Sequence, residues 1–168
     1  MIETERLTLV PCELAHLDAA RNSFAELGRL LDVAVAEGFP VFPESFQYWR
    51  DLLAADPSAS GWCNWLFVHR HDCTLIGDGG FKGPPSNDGS VEIGYALASA
   101  YRGQGLATEA ARALTAWAFT HPEVTTVRAE TLVDGYASMR VLAKVGMTRT
   151  GTRYDPEDGP LVLWGLQV

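Results

Sequence analysis

Residues 91–119 constrain the fold more than any other stretch. Val91-Glu92-Ile93-Gly94-Tyr95-Ala96-Leu97 is β-branched and apolar, Tyr101-Arg102-Gly103-Gln104-Gly105 is a short glycine-containing hinge, and an alanine-rich segment runs on to Phe119. This predicts strand, turn and helix, a layout that aims a helix N-terminus at any anion beyond the strand's end. The two hinge glycines let backbone N–H groups approach a ligand that a side chain would push away. Arg102 can add a phosphate contact. The spacing is neither a Walker A loop nor a G-x-G-x-x-G dinucleotide fingerprint. The hinge also follows an antiparallel-looking strand rather than a parallel βαβ unit.

The remaining chain reads as one domain. Its 168 residues suit a single core, and 47% apolar with 20% charged content is globular rather than disordered. A net charge of −8 argues against a duplex-DNA binder and suits a cationic partner such as an amine. Cys12, Cys63 and Cys73 form an odd set without repeated spacing, read as reduced thiols. The acidic start Met1-Ile2-Glu3-Thr4-Glu5 carries no signal peptide, and no apolar run is long enough to span a bilayer. The expectation is a soluble cytoplasmic protein.

Taken in order, Arg6-Thr8 alternating with Leu7 and Leu9 predicts a strand over residues 4–10, stopped by Pro11. Residues 13–37 carry apolar side chains at three- and four-residue steps, predicting helix, divided at Gly28. A breaker-rich loop, residues 38–43, precedes a short helix bearing Phe46, Trp49, Leu52 and Leu53. Strands are expected over 62–69, 74–81 and 90–97, joined as hairpins, then a helix over 104–119. A strand at 126–132, a helix at 137–145 capped by Gly146, and strands at 147–150 and 161–166 complete the chain. The order β, helices, βββ, α, β, α, ββ predicts a single-domain α/β fold, a mixed sheet with helices on both faces.

Arg102-Gly103-Gln104-Gly105-Leu106-Ala107 resembles the Q/R-x-x-G-x-G/A signature of the GCN5-related N-acetyltransferase (GNAT) superfamily. Thr4-Glu5-Arg6-Leu7-Thr8-Leu9, Glu92-Ile93-Gly94-Tyr95 and Ala137-Ser138-Met139-Arg140-Val141-Leu142-Ala143-Lys144-Val145-Gly146-Met147 resemble the RimJ/RimL-type branch, and the likeness covers nearly the whole chain. The resemblance implies a GNAT fold with a central, mostly antiparallel sheet. It also implies acetyl transfer from acetyl-CoA, a cosubstrate, to a primary amine on a protein N-terminus or small molecule, by direct attack and without a metal. Leu97 and Ala98 would bond the pantetheine arm, and Arg102, Gly103, Gln104, Gly105, Leu106, Ala107 and Thr108 would hold the phosphates. A backbone N–H near Leu97 would polarise the thioester carbonyl.

Glu92 matches a position where some relatives carry a general-base glutamate, against the alternative of a salt-bridged strand carboxylate. Ser138 matches a serine presented near the thiolate. Two departures accompany it: Gly135 stands where the family has asparagine, and Leu142 where many members have tyrosine. They support the alternative of a catalytically inactive GNAT-fold CoA-binding or regulatory module. A nucleotide-binding protein of another fold is a third option. Arg140 and Lys144 lie four residues apart on one helix face, reading as solvated cations that are also able to reach a nucleotide phosphate. His69, His71 and Cys73 match no zinc spacing. Phe39, Phe42, Phe46, Trp49 and Trp62 read as core, and Asp78, Asp88, Asp134 and Glu44 as surface charges. No nucleic acid or membrane partner is expected, and homodimers are common in the family.

Overall fold

The computed structural model describes residues 1–168. Its strands are β1 (Ile2–Glu3), β2 (Leu7–Pro11), β3 (Ala34–Val35), β4 (Asn64–His69), β5 (Thr74–Phe81), β6 (Ser90–Leu97), β7 (Thr126–Leu132), β8 (Thr148–Asp155) and β9 (Gly159–Gln167). Helices are α1 (Leu14–Asn22), α2 (Phe24–Leu31), α3 (Ser45–Ala55), α4 (Leu106–Ala118) and α5 (Tyr136–Val145). The strands form one mixed sheet in the order β1-β2-β4-β5-β6-β7-β9-β8, with β3 beside β5. Pairing is antiparallel except at β6–β7 and β3–β5.

Side-chain alternation along the strands distributes two cores. Leu7, Leu9, Trp65, Phe67, Ile76 and Ile93 pack with Leu106, Leu114 and Leu142 on the face covered by α4 and α5. Leu66, Val68 and Leu75 pack with Leu17, Leu27 and Leu53 beneath α1, α2 and α3. Phe24, Phe39 and Phe46 meet edge to face, with centroids 5.3–6.1 Å apart.

Several boundaries differ from the sequence-based expectation. The first strand is a small hairpin, with Thr4 N–H donating to Leu7 O across the turn, and Pro11 pairs with Trp65 as the last residue of β2. The first helical region divides at Ser23, whose Oγ accepts from Glu26 N–H, because that cap is satisfied locally. Gly28 lies inside α2, where a Cβ would meet Val35 Cγ2 at 2.6 Å, so its role is close packing. Residues 34–35 leave the helical pattern for β3. The β6–α4–β7 unit is a parallel crossover, correcting the antiparallel reading of the hinge's surroundings: β6 is antiparallel only to β5.

The N-terminal hairpin turn is tied to the start of α4 by one carboxylate. Glu109 accepts from Thr4 Oγ1 at 2.6 Å, Arg6 N–H at 2.7 Å and Arg6 Nε at 2.8 Å, while Arg6 Nη1 donates to Gln104 O at 2.9 Å. Burial alone would raise the Glu109 pKa, but the hydrogen bonds from Thr4 and Arg6 outweigh it and hold it below its ordinary 4.5. A carboxylate with a lowered folded-state pKa stabilises fully above its unfolded pKa, and that stability is lost as pH falls through the folded value. Glu109→Ala is therefore expected to cost about 1.5–3 kcal/mol near neutral pH, roughly 3–10 °C in Tm. The gap between wild type and variant should shrink in denaturant melts taken below pH 4.5. An unchanged gap would show that this carboxylate does not hold the hairpin.

Candidate active site

The site begins where two strands part. β6 and β7 pair only over Ser90↔Thr126, Val91↔Val127 and Glu92↔Arg128. Beyond that point β6 stays with β5 as far as Leu97↔Gly77, and β7 stays with β9 as far as Leu132↔Leu161. Asp88 pins the closed end: it accepts from Ser86, Ser90 and, at 2.8 Å, Arg128. Across β5–β6, Lys82 N–H donates to Glu92 O and Ala98 N–H to Ile76 O. Backbone groups alternate in direction along an antiparallel ladder, so those of Ile93, Tyr95 and Leu97 face the gap. Leu97 O already accepts from Arg102 Nε at 2.8 Å, which leaves its N–H for a ligand. The Ala98 N–H is committed to Ile76, so Ala98 cannot donate as the resemblance implied.

The hinge leads from this gap into α4. Gly103 and Gly105 have φ of 76° and 82°, a left-handed backbone that strains any side chain, and the space beside Gly103 is open. Gly105 is the N-cap of α4 and supplies no side-chain cap. The first-turn N–H groups therefore have no helical partner and carry the positive end of the helix dipole. Leu106 buries its side chain in the core and can offer a ligand only its backbone, while Thr108, largely buried, lines the cleft beside the hinge. Arg102 and Gln104 are exposed, with Gln104 Nε2 donating to Ala100 O at 3.0 Å. Beside the hinge is a cleft of about 590 Å³ whose cations are Arg6, Arg112 and Lys144. Arg6 is bound to Glu109, and Arg112 donates to Lys144 O at 2.6 Å, but the Lys144 ammonium has no ion-pair partner. Arg140 does not line this cleft.

A second cleft, about 440 Å³, occupies the gap itself. Ser138 lines it from the first turn of α5, and its carbonyl accepts from Tyr95 Oη at 3.4 Å. Desolvation pushes the Tyr95 phenol well above its ordinary 10, against the effect of that hydrogen bond, so it stays a proton donor. Leu142 forms the adjoining wall, and the phenol comes from β6, a position that sequence reasoning treated only as strand. Phe42 is exposed and lines the cleft, correcting its assignment to core, while Trp49 packs against the second core and lines the cleft as well. Phe39, Phe46 and Trp62 are buried as expected.

The carboxylates sort differently from expectation. Glu92 is ion-paired with Lys82 and does not line the cleft, although Lys82 does. Glu130 lines it but is gripped by Arg153, whose Nε and Nη2 donate to its two oxygens at 2.7 and 2.6 Å. Asp78 was read as a surface charge, yet it is only 8% exposed. It accepts from Asn64 Nδ2 at 3.1 Å, and both residues line the cleft. Burial raises its pKa to about 6, with the Asn64 hydrogen bond pulling the other way. The available sequence signal was a carboxylate inside an otherwise apolar and glycine strand, Leu75-Ile76-Gly77-Asp78-Gly79-Gly80-Phe81. Asp88, Asp134 and Glu44 are exposed as expected, and Glu44 stands at the cleft's edge. His69 and His71 each contact Asp72, at 3.0 and 2.9 Å.

The chain is similar to known proteins over nearly its full length. Residues 6–148 match the model of the Acetyltransferase (GNAT) domain. The uncharacterized N-acetyltransferase YjdG of Bacillus subtilis (strain 168) is 30% identical over 148 residues, covering 87% of this chain and 88% of that protein. Ribosomal-protein-S5-alanine acetyltransferase from Vibrio fischeri superposes with a TM-score of 0.71 at 19% identity, covering 99% of this chain and 95% of that one. RimL, a ribosomal L7/L12 alpha-N-protein acetyltransferase solved with coenzyme A, gives 0.70 at 18% identity, with 98% and 96% covered. A splayed sheet, a glycine hinge at a helix start and a family model spanning most of the sequence lead to one conclusion: this chain belongs to the GNAT family and is an acetyltransferase.

Proposed function

We propose that this enzyme transfers an acetyl group from acetyl-CoA to a primary amine held in the 440 Å³ cleft, by direct attack and without a covalent enzyme intermediate. The observation that carries the reading is the parted ladder: the backbone of Ile93, Tyr95 and Leu97 faces the gap beside the open first turn of α4. An extended amide-bearing arm can add there as a strand while its phosphates meet the helix N-terminus. Leu97 supplies the arm's N–H donor. Arg102, Gly103, Gln104, Gly105, Leu106, Ala107 and Thr108 surround the pyrophosphate, Leu106 through its backbone alone. Lys144 offers a further phosphate contact. Bound acetyl-CoA supplies an activated thioester carbonyl, and the chain's task is to orient it, polarise it and manage protons.

Ser138 stands near the departing sulfur, and the Tyr95 hydroxyl beside it is the neighbouring donor. Glu92 meets the cleft only through Lys82. We assign the chain to the RimJ/RimL-type branch, supported by the RimL superposition. Three unpaired thiols fit a reducing cytoplasm, and no helix is long and apolar enough to cross a membrane.

Two measurements test this. Calorimetry should detect CoA binding, and Gly105→Glu should weaken it at least about tenfold, because a side chain at φ 82° is strained and a carboxylate repels the phosphates. Binding that ignores this substitution removes the hinge from the site. A thiol-release assay with DTNB across an amine panel should show turnover. CoA binding with no turnover of any amine would favour an inactive CoA-binding module, the reading that Gly135 and Leu142 support.

A further inference from the structure

Amine acetylation needs a group that takes a proton from the incoming ammonium, because a lysine-like amine with a pKa near ~10.4 enters protonated. Glu92 is poorly placed for that task. It lies five residues before Leu97, about 17 Å of extended strand, its carboxylate is closed by Lys82, and it does not line the cleft. Asp78 is placed differently. In the β5–β6 register it lies directly opposite Ala96, the neighbour of Leu97. Its backbone therefore stands one strand spacing, about 4.8 Å, from β6 at the end where the thioester would be polarised, and its side chain lines the cleft there.

The carboxylate is also held for use. Asn64 Nδ2 donates its one hydrogen bond, to Oδ2, and no cation pairs with it, so Oδ1 has no protein partner. An ionised carboxylate in so buried a setting is costly unless something cationic arrives. The surrounding elements supply no such group. From the β2 side the nearest titratable group is the Cys12 thiol, which burial and the Asp78 charge keep protonated. From β4 comes the neutral amide of Asn64, and the charged groups that share the cleft are Glu44 from the segment before α3, Lys82 from the end of β5 and Glu130 from β7. Lys82 is held by Glu92, and Glu130 by Arg153. Phe42 and Trp49 provide an apolar wall on the same side.

We propose that Asp78, fixed by Asn64, receives the acceptor's ammonium group and takes its proton, so that the acceptors are compact cationic primary amines whose carbon skeleton rests on Phe42 and Trp49. The inference rests on the amine acetylation proposed above. The ammonium nitrogen gives one proton to Asp78, and its freed lone pair forms the new carbon–nitrogen bond at the thioester carbonyl. The carbon–sulfur bond breaks with its electron pair on sulfur. The sulfur then takes the nitrogen's second proton, giving an amide and a thiol, while Asp78 returns its proton to solvent. With Asp78 raised to about 6, the free enzyme presents the ionised base from mildly acidic pH upward.

The test is steady-state kinetics by thiol release on wild type, Asp78→Asn, Asn64→Ala and Glu92→Gln, with CoA affinity measured alongside by calorimetry. In wild type, kcat/KM for the amine should rise with pH through about 6. Asp78→Asn should lose that limb and lower kcat/KM about 10²–10⁴-fold, the usual range for a general base, with CoA affinity within about twofold of wild type. Asn64→Ala removes the bond that lowers the Asp78 pKa, so the limb should move to higher pH, a response that a purely structural role would not give. Glu92→Gln should stay within a few-fold of wild type. Retention of rate and pH profile in Asp78→Asn, or their loss in Glu92→Gln, overturns the assignment while leaving amine acetylation standing. Absence of turnover in wild type fails both readings together.

Discussion

The site depends on a ladder that is left unfinished. Parallel pairing between β6 and β7 stops at Glu92↔Arg128, yet neither strand is unsupported beyond that point. β5 holds β6 from one side and β9 holds β7 from the other, so parting them sacrifices only the inner hydrogen bonds. Buried backbone groups left without partners are costly, and the gap stays tolerable because it is open to solvent and ready to pair with an extended ligand. Asp88, by gathering Ser86, Ser90 and Arg128, fixes where the closed portion ends. The 440 Å³ cleft takes its position from that fork.

Glu109 links the fork to the chain's beginning. It stands in α4 just beyond the hinge and collects donors from Thr4 and Arg6, while Arg6 also reaches the Gln104 carbonyl inside the hinge. The hinge is thus braced by the chain's beginning before any ligand arrives, which favours a prearranged set of N–H donors over one assembled on binding. Two stretches that lie about a hundred residues apart meet there, and the pairing gives a physical reason for the Thr4-Glu5-Arg6 sequence beyond its part in a short hairpin.

The carboxylates divide by what each faces. Glu92, Glu130 and Glu109 all have cationic partners and are structural in the resting protein. Asp78, the one buried carboxylate of the cleft, has none. Burial without a partner raises a carboxylate's pKa and makes it receptive to a proton or a cation, which separates a working group from a bracing one more clearly than residue type does.

Residues 91–119 revealed the strand, hinge and helix by their own composition, since β-branched runs, glycines at positive φ and alanine-rich periodicity are local signals. The element order and the two-faced sheet followed for the same reason. Partners distant in sequence were not legible there. Ser23 rather than Gly28 ends α1 because a side-chain cap outweighs one glycine that packing requires, and the parallel β6–β7 pairing depends on α4 crossing the sheet between the two strands. The site shows the same boundary. The sequence by itself determined the hinge that offers N–H groups to phosphates, because that chemistry resides in consecutive residues. Only the tertiary structure decided that Ala98 donates inward, that Tyr95 meets Ser138, that Lys82 closes Glu92 and that Asp78 is buried facing the cleft, because burial and charge pairing belong to neighbours in space.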